Sequence, residues 1–316
     1  MTHRARWASA GLVLAASFVS LARAGDAPPP AAPTQPALKI CLNEDLPPFS
    51  VRRGRTGFDV ALADAIGEKL GEPVTIRWFE SQLDGDKSPS LEANALLSDG
   101  ICDVVGNFPL NEDSLEAQHV ATSRQPDYDR AKPADRRRRV TLGALIASRP
   151  VRFAAQTIIL GANARGKSIK GLADLAGLKI GAESGTFGDI VLMRFDNERL
   201  VNDITHVVPG RGELMQKLES GEFDAALLDL GRFDAYRAAH PETKISPTGF
   251  YYRIGFNMGF VALTNQAPLR DQLDQALAEL SRNGKIETLA ISAGVTFLAP
   301  HEPAVGPHIM MKDLSD

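Results

Sequence analysis

The chain is poor in cysteine: there are two in 316 residues, Cys41 and Cys102. That excludes a disulfide-dense scaffold and a thiolate zinc site, which need more sulfur at closer spacing. Histidine is also scarce, six in all, and none stands in H-x-x-x-H or H-E-x-x-H spacing. No G-x-S-x-G occurs, so there is no nucleophile elbow of the hydrolase kind. After the first two dozen residues no apolar run is long enough to span a bilayer. Positive charge is not in excess: the formal net charge is −4, and without the three arginines of the first 24 residues it is −7. Nucleic-acid binding is therefore not expected. The hydrophobic fraction of 44% and the charged fraction of 23% are ordinary for a globular chain.

Residues 1–24 read as a signal peptide. Arg4 and Arg6 give a positive start, Ala8 to Ala22 is apolar, and Ala22-Arg23-Ala24 is a small-residue cleavage site ahead of Gly25. Residues 25–37, with Pro28-Pro29-Pro30 and Pro33, read as an extended spacer that cannot pack a core. Export places the protein in the periplasm. In that oxidising compartment a Cys41–Cys102 disulfide is expected, because both residues fall on strands of one sheet.

From Leu38 the pattern alternates. Strands are predicted at Leu38 to Leu42, Val74 to Phe79 and Cys102 to Val105, with helices over Gly57 to Leu70 and Leu91 to Leu97 between them. Strand and helix in this order give a parallel sheet with helices on its faces. A second alternating run follows, with strands at Lys179 to Gly181, His206 to Val208 and Asp224 to Leu228. A last strand at Met258 to Leu263 and a helix at Pro268 to Ser281 return to the first unit. The expected fold is α/β and two-lobed: a first lobe over 38–162, a second over 163–256, a return over 257–300 and a tail over 301–316. The polar segment 111–149, carrying Arg136, Arg137, Arg138 and Arg139, breaks the rhythm as an insert in the first lobe. Four consecutive arginines are either a solvated loop or a docking patch for an acidic partner.

Gly161 to Ser168 matches G-x-x-x-x-G-K-S literally and follows a strand. A phosphate loop also needs the N-terminus of a long helix. Gly171 and Gly177 leave room for none, so the loop reads as a crossover between lobes. Glu183 and Asp189 read either as a carboxylate pair or as exposed helix-end acids. No catalytic residue and no metal ligand is assigned.

Several motifs carry a resemblance. Leu38-Lys39-Ile40, Pro47-Pro48-Phe49, Gly57-Phe58-Asp59-Val60, Leu172 to Gly177, Ser184-Gly185-Thr186 and Gly221 to Ala225 resemble family 3 periplasmic solute-binding proteins, a likeness that spans about 38–296. It implies a type II periplasmic binding-protein fold, with a mostly parallel sheet and helices on both faces in each lobe. By that likeness Phe49 or Phe58 supplies an aromatic to the cleft, Ser184-Gly185-Thr186 an amide nest, and Asp229 an ammonium partner. Asn43 and Asn107 complete the candidate cleft set. The arginine that would hold an amino acid's carboxylate is missing, and Asn111-Glu112-Asp113-Ser114 stands in its place. A narrower likeness lies in Cys41, Leu46 to Ser50, Gly100 to Val105, Ile204 to Gly212 and Tyr251 to Gly259. These are similar to the binding-protein-like accessory proteins of quinoprotein methanol dehydrogenases (the MxaJ/XoxJ group). That likeness implies a periplasmic, non-enzymatic accessory that assists the activation or maturation of a pyrroloquinoline-quinone methanol dehydrogenase of the lanthanide type by protein-protein binding; it does not imply that this chain binds the quinone or the metal, and no cofactor is assigned. A transporter-coupled receptor for a small polar solute is the alternative.

Overall fold

The computed structural model describes residues 37–81, 88–116, 121–130 and 139–314. The signal peptide, residues 25–36 of the spacer, and Arg136, Arg137 and Arg138 lie outside the described residues.

The first lobe opens with β1 (Leu38–Asn43), β2 (Asp45–Leu46), β3 (Ser50–Val51), α1 (Phe58–Leu70), β4 (Val74–Glu80), α2 (Pro89–Ser98) and β5 (Val104–Pro109). α1 buries Phe58, Leu62, Ala65 and Ile66, and it stops at Gly71, whose φ of 69° favours glycine. α2 starts where the Ser88 hydroxyl accepts the Leu91 N–H at 3.3 Å, with Pro89 in its first turn. β1 lies between β4 and β5, parallel to both.

The insert is part of the lobe. It forms α3 (Glu112–Leu115), β6 (Thr122–Arg124), β7 (Asp127–Tyr128), β8 (Arg139–Thr141) and β9 (Leu145–Ala147). β7 adds to the edge at β4, and β6 pairs with β8. Strands of two or three residues are too short to show alternation in a sequence.

There follow β10 (Arg152–Leu160), β11 (Ile180–Glu183), α4 (Phe187–Arg194), β12 (Ile204–Val207), α5 (Glu213–Ser220), β13 (Ala225–Asp229), α6 (Leu230–Ala239), β14 (Ser246–Leu263), α7 (Ala267–Arg282) and α8 (Lys285–Ser292). One ten-stranded sheet runs β12-β11-β13-β10-β14-β5-β1-β4-β7, with β9 also on β14. The lobes share β10 and β14, which pair antiparallel. Val151, directly before β10, and Phe260 and Ala262 of β14 pack into the first lobe's core, while Ile158 and Leu160 of β10 and Tyr252 of β14 pack into the second's. These two strands therefore make the crossing. This corrects the crossover role given to Gly161 to Ser168: Ala164 is already buried in the second core. β14 is also far longer than its apolar end predicted, because its first half is largely exposed or half-buried.

The last residues bind both lobes. Asn257 Nδ2 donates to the carbonyls of His301, Pro303 and Ala304 at 2.7, 3.1 and 3.1 Å. His308 Nδ1 lies 2.7 Å from Asp113 Oδ1, and Leu314 is buried in the second core. Cys41 and Cys102 form a disulfide with their Cα atoms 5.7 Å apart. Among the described residues no helix is long and apolar enough to cross a membrane.

Candidate functional site

In a parallel sheet, ligands gather beyond the carboxyl ends of the strands. β1, β4 and β5 end together, and a cavity of about 670 Å³ opens there, lined by Asn43, Glu80, Asn107, Phe108 and Met258 among others. Gly106 forms part of its wall, and a Cβ on it would come 2.8 Å from Leu42 Cδ2, so glycine keeps this backbone flat on the core. Asn43 Oδ1 accepts the Asp45 N–H at 2.9 Å. Asn107 has a φ of 53°, a left-handed conformation that asparagine tolerates better than most residues. Its Oδ1 accepts from Arg152 Nη2 at 2.6 Å.

Arg152 begins β10 and is 6% exposed. Its guanidinium lies over the Phe49 ring, 4.0 Å from the centroid. Phe49 in turn packs on the second lobe, since a Cβ on Gly231 would come 2.6 Å from its Cζ. Asp229 caps α6, its Oδ1 accepting the Arg232 N–H at 3.3 Å. Burial pushes the Asp229 carboxyl above its ordinary range, while the Arg152 charge pulls it back. Burial likewise pushes Asp59 up to about 7, with Arg152 opposing. Arg152 is itself lowered by burial, against the pull of Asp59, Asp229 and Asp234. The space left among Phe49, Arg152 and Asp229 is about 10 Å³. That is the room of one water at most. Phe49, Asn107 and Asp229 thus meet around a cation of the protein's own. Phe58 leaves the cleft set altogether: at 0% exposure in the first turn of α1 it is core.

The expected nest is internally filled. The Gly185 N–H donates to Asp189 Oδ2 at 2.8 Å, and Thr186 Oγ1 caps α4 by accepting the Asp189 N–H at 3.3 Å. Asp189 Oδ1 lies 2.8 Å from His206 Nε2. An internal carboxylate therefore uses a donor that Ser184-Gly185-Thr186 was expected to offer a ligand. Glu183 and Asp189 are not exposed acids: their exposures are 2% and 8%. Arg232 grips Glu183 with two nitrogens, one at 2.8 Å. Arg139 is exposed on β8, in register with the exposed Arg124. Sequence reasoning missed Arg152 and Asp59. Arg149-Pro150-Val151-Arg152 reads as surface, and nothing local marks its second arginine as buried.

No family model matches the sequence, and no curated protein matches it. Among solved structures the chain is similar to the L-cystine solute receptor of Neisseria gonorrhoeae in its unliganded open conformation, at 19% identity and a TM-score of 0.59, over 84% of this chain and 95% of that one. It is similar to substrate binding domain 2 of GlnP from Lactococcus lactis, also open, at 18% identity and a TM-score of 0.59, over 84% and 97%. A histidine kinase sensor domain with similarity to periplasmic binding proteins matches at 18% identity and a TM-score of 0.52, over 84% and 98%. A receptor and a sensor domain share this scaffold, so at such identities the likeness carries the fold and leaves the ligand open. The chain has the two-lobed fold of type II periplasmic binding proteins.

Proposed function

We propose that this chain is a periplasmic binding protein of the solute-receptor kind, with its ligand seated on the first lobe and no chemistry performed on it. One observation carries the reading: the roomy cavity at the carboxyl ends of β1, β4 and β5 presents Asn43 and Asn107, whereas the space between Phe49 and Asp229, where β10 passes between the lobes and which we call the hinge seat, is filled by Arg152. An amino acid would have to displace a buried, stacked guanidinium to reach Asp229 and Phe49. Calorimetry of the exported protein with the twenty common amino acids should accordingly give no micromolar dissociation constant. One such constant, abolished by Asp229→Asn, would restore the hinge seat as the ligand site.

A second reading, an accessory protein of a quinoprotein methanol dehydrogenase, is favoured by a different observation. The insert that solute binding does not require presents Arg124 and Arg139 side by side on an exposed strand pair, continuous in sequence with Arg136 to Arg138. Exposed charges of this kind steer association with an acidic surface and lose strength as salt rises. Surface binding to the cognate dehydrogenase, with and without serine at 136–139, tests it. The expected result is a slower, less salt-sensitive association for the variant. Absence of binding by the unmodified protein rejects the accessory role.

A further inference from the structure

We infer that the first-lobe cavity is built for an organic cation: a small amine or quaternary ammonium with an apolar body. The inference rests on the binding-protein reading above and names the ligand's chemistry.

The cavity itself makes the site. Its volume of about 670 Å³ lies within the roughly 300–1,000 Å³ of small-molecule pockets. Phe79, Phe108 and Met258 give it carbon walls suited to an apolar body. All the charge among its described lining residues is of one sign: Glu44, Asp45 and Glu80, with neither lysine nor arginine. Glu44 is held by Arg52 at 3.1 Å. Asp45 opens β2, just beyond the end of β1, and Glu80 ends β4; both are exposed, and neither has a basic partner among the described residues. Arg152, which reaches Asn107 from the hinge, has its charge offset by Asp59 and Asp229.

An anionic ligand entering this cavity would meet like charge with no basic partner among the described residues. A neutral ligand would leave both carboxylates no better off than in water. A cation gains from both, and its carbon body covers the apolar wall. Asn43, Asn107 and Ser81 add neutral hydrogen-bonding groups, which orient a ligand without selecting its charge.

The test uses the exported protein and matched probes: choline against its neutral isostere 3,3-dimethyl-1-butanol, putrescine against 1,4-butanediol, and butyrate as the anion. Methyl-labelled methionine resonances report on Met258. Choline or putrescine should bind at least tenfold tighter than its neutral match, shift the Met258 signal, and weaken as salt rises. Asp45→Asn and Glu80→Gln should each weaken that binding by about two- to fivefold, and together by about tenfold, with an unchanged melting temperature because both side chains are at the surface. A neutral or anionic probe that binds as tightly as the cation and shifts Met258 overturns the cationic class and leaves the receptor reading standing. Cation binding that the double variant does not weaken overturns this cavity as its seat. If no probe of any charge binds, the cationic class falls, whereas the receptor reading falls only if a mixture of periplasmic small molecules also leaves the Met258 signal unmoved.

Discussion

Arg152→Ala is expected to destabilise the folded protein by about 3–5 kcal/mol, the usual cost of removing one partner from a buried charge cluster. The guanidinium serves four neighbours at once. It covers the face of Phe49, donates to Asn107 Oδ1 at 2.6 Å, and offsets the carboxylates of Asp59 and Asp229. Asp59 is the sharper reporter, because it is 2% exposed and its Oδ2 has no hydrogen-bond partner. In the fold its pKa stands at about 7, against an ordinary 3.8. Below pH 4 the group is protonated in both folded and unfolded chains. Between about 4 and 7 the folded state keeps a proton that the unfolded state has released, so stability falls as pH rises, by at most about 1.4 kcal/mol per pH unit. Removing Arg152 takes away the charge that pulls this pKa down. The folded value then climbs, and the loss of stability continues past pH 7. Urea unfolding at pH 5 and pH 8 should show a larger deficit for Arg152→Ala at pH 8, and adding Asp59→Asn should remove most of that difference. An equal deficit at both pH values would mean that Arg152 contributes packing alone.

This cluster shows where sequence reasoning stops. The alternation of strand and helix from Leu38 onward carried the architecture, because buried parallel strands and amphipathic helices write their period into the chain. Helix ends were equally plain where a residue has a steric reason to be there, as Gly71 and Gly221 do at φ 69° and 78°. β14 was legible only from Met258, where both faces are buried; upstream it runs along β10 in the second lobe with a burial that varies from residue to residue. The short strands of the insert had too few residues for any period. α8, eight residues long, buries only Ile286 and Ala290. The site was harder still. Asn43 and Asn107 lie 64 positions apart and meet at one cavity because β1 and β5 are neighbours, which topology suggests. That Asp189 would fill the amide nest, and Arg152 the hinge seat, depends on side-chain placement across elements, and no spacing encodes it.

Breaking the Cys41–Cys102 bond is expected to cost roughly 3–4 kcal/mol, because the linked residues are 61 apart and an open loop of that length adds denatured-state entropy. The chain bends at Ile101 and Asp103 just before β5, and this lets Cys102 reach a cysteine that lies further along the neighbouring strand. Both sulfurs are buried against Phe79, Leu96 and Val105, so labelling of the native, unreduced protein should find no free thiol. Labelling that persists at both positions after denaturation without reductant would rule the bond out. The paired Cys41→Ala and Cys102→Ala variant is the cleaner probe of its strength, since alanine puts no new polar group into this core. Its lower urea midpoint should come with an almost unchanged cavity. Ile40 and Cys41 stay in register with Val104 and Val105, and Asp103 N still donates to the Lys39 carbonyl at 2.9 Å. The ends of β1 and β5, with Asn43 and Asn107, are therefore positioned by the ladder, while the disulfide acts on the unfolded chain. Ligand affinity measured well below the variant's melting temperature should stay within about twofold of the parent, since a loss of about 3–4 kcal/mol from a stable domain still leaves most molecules folded. A large drop in affinity under those conditions would show instead that the bond itself holds the cavity's shape.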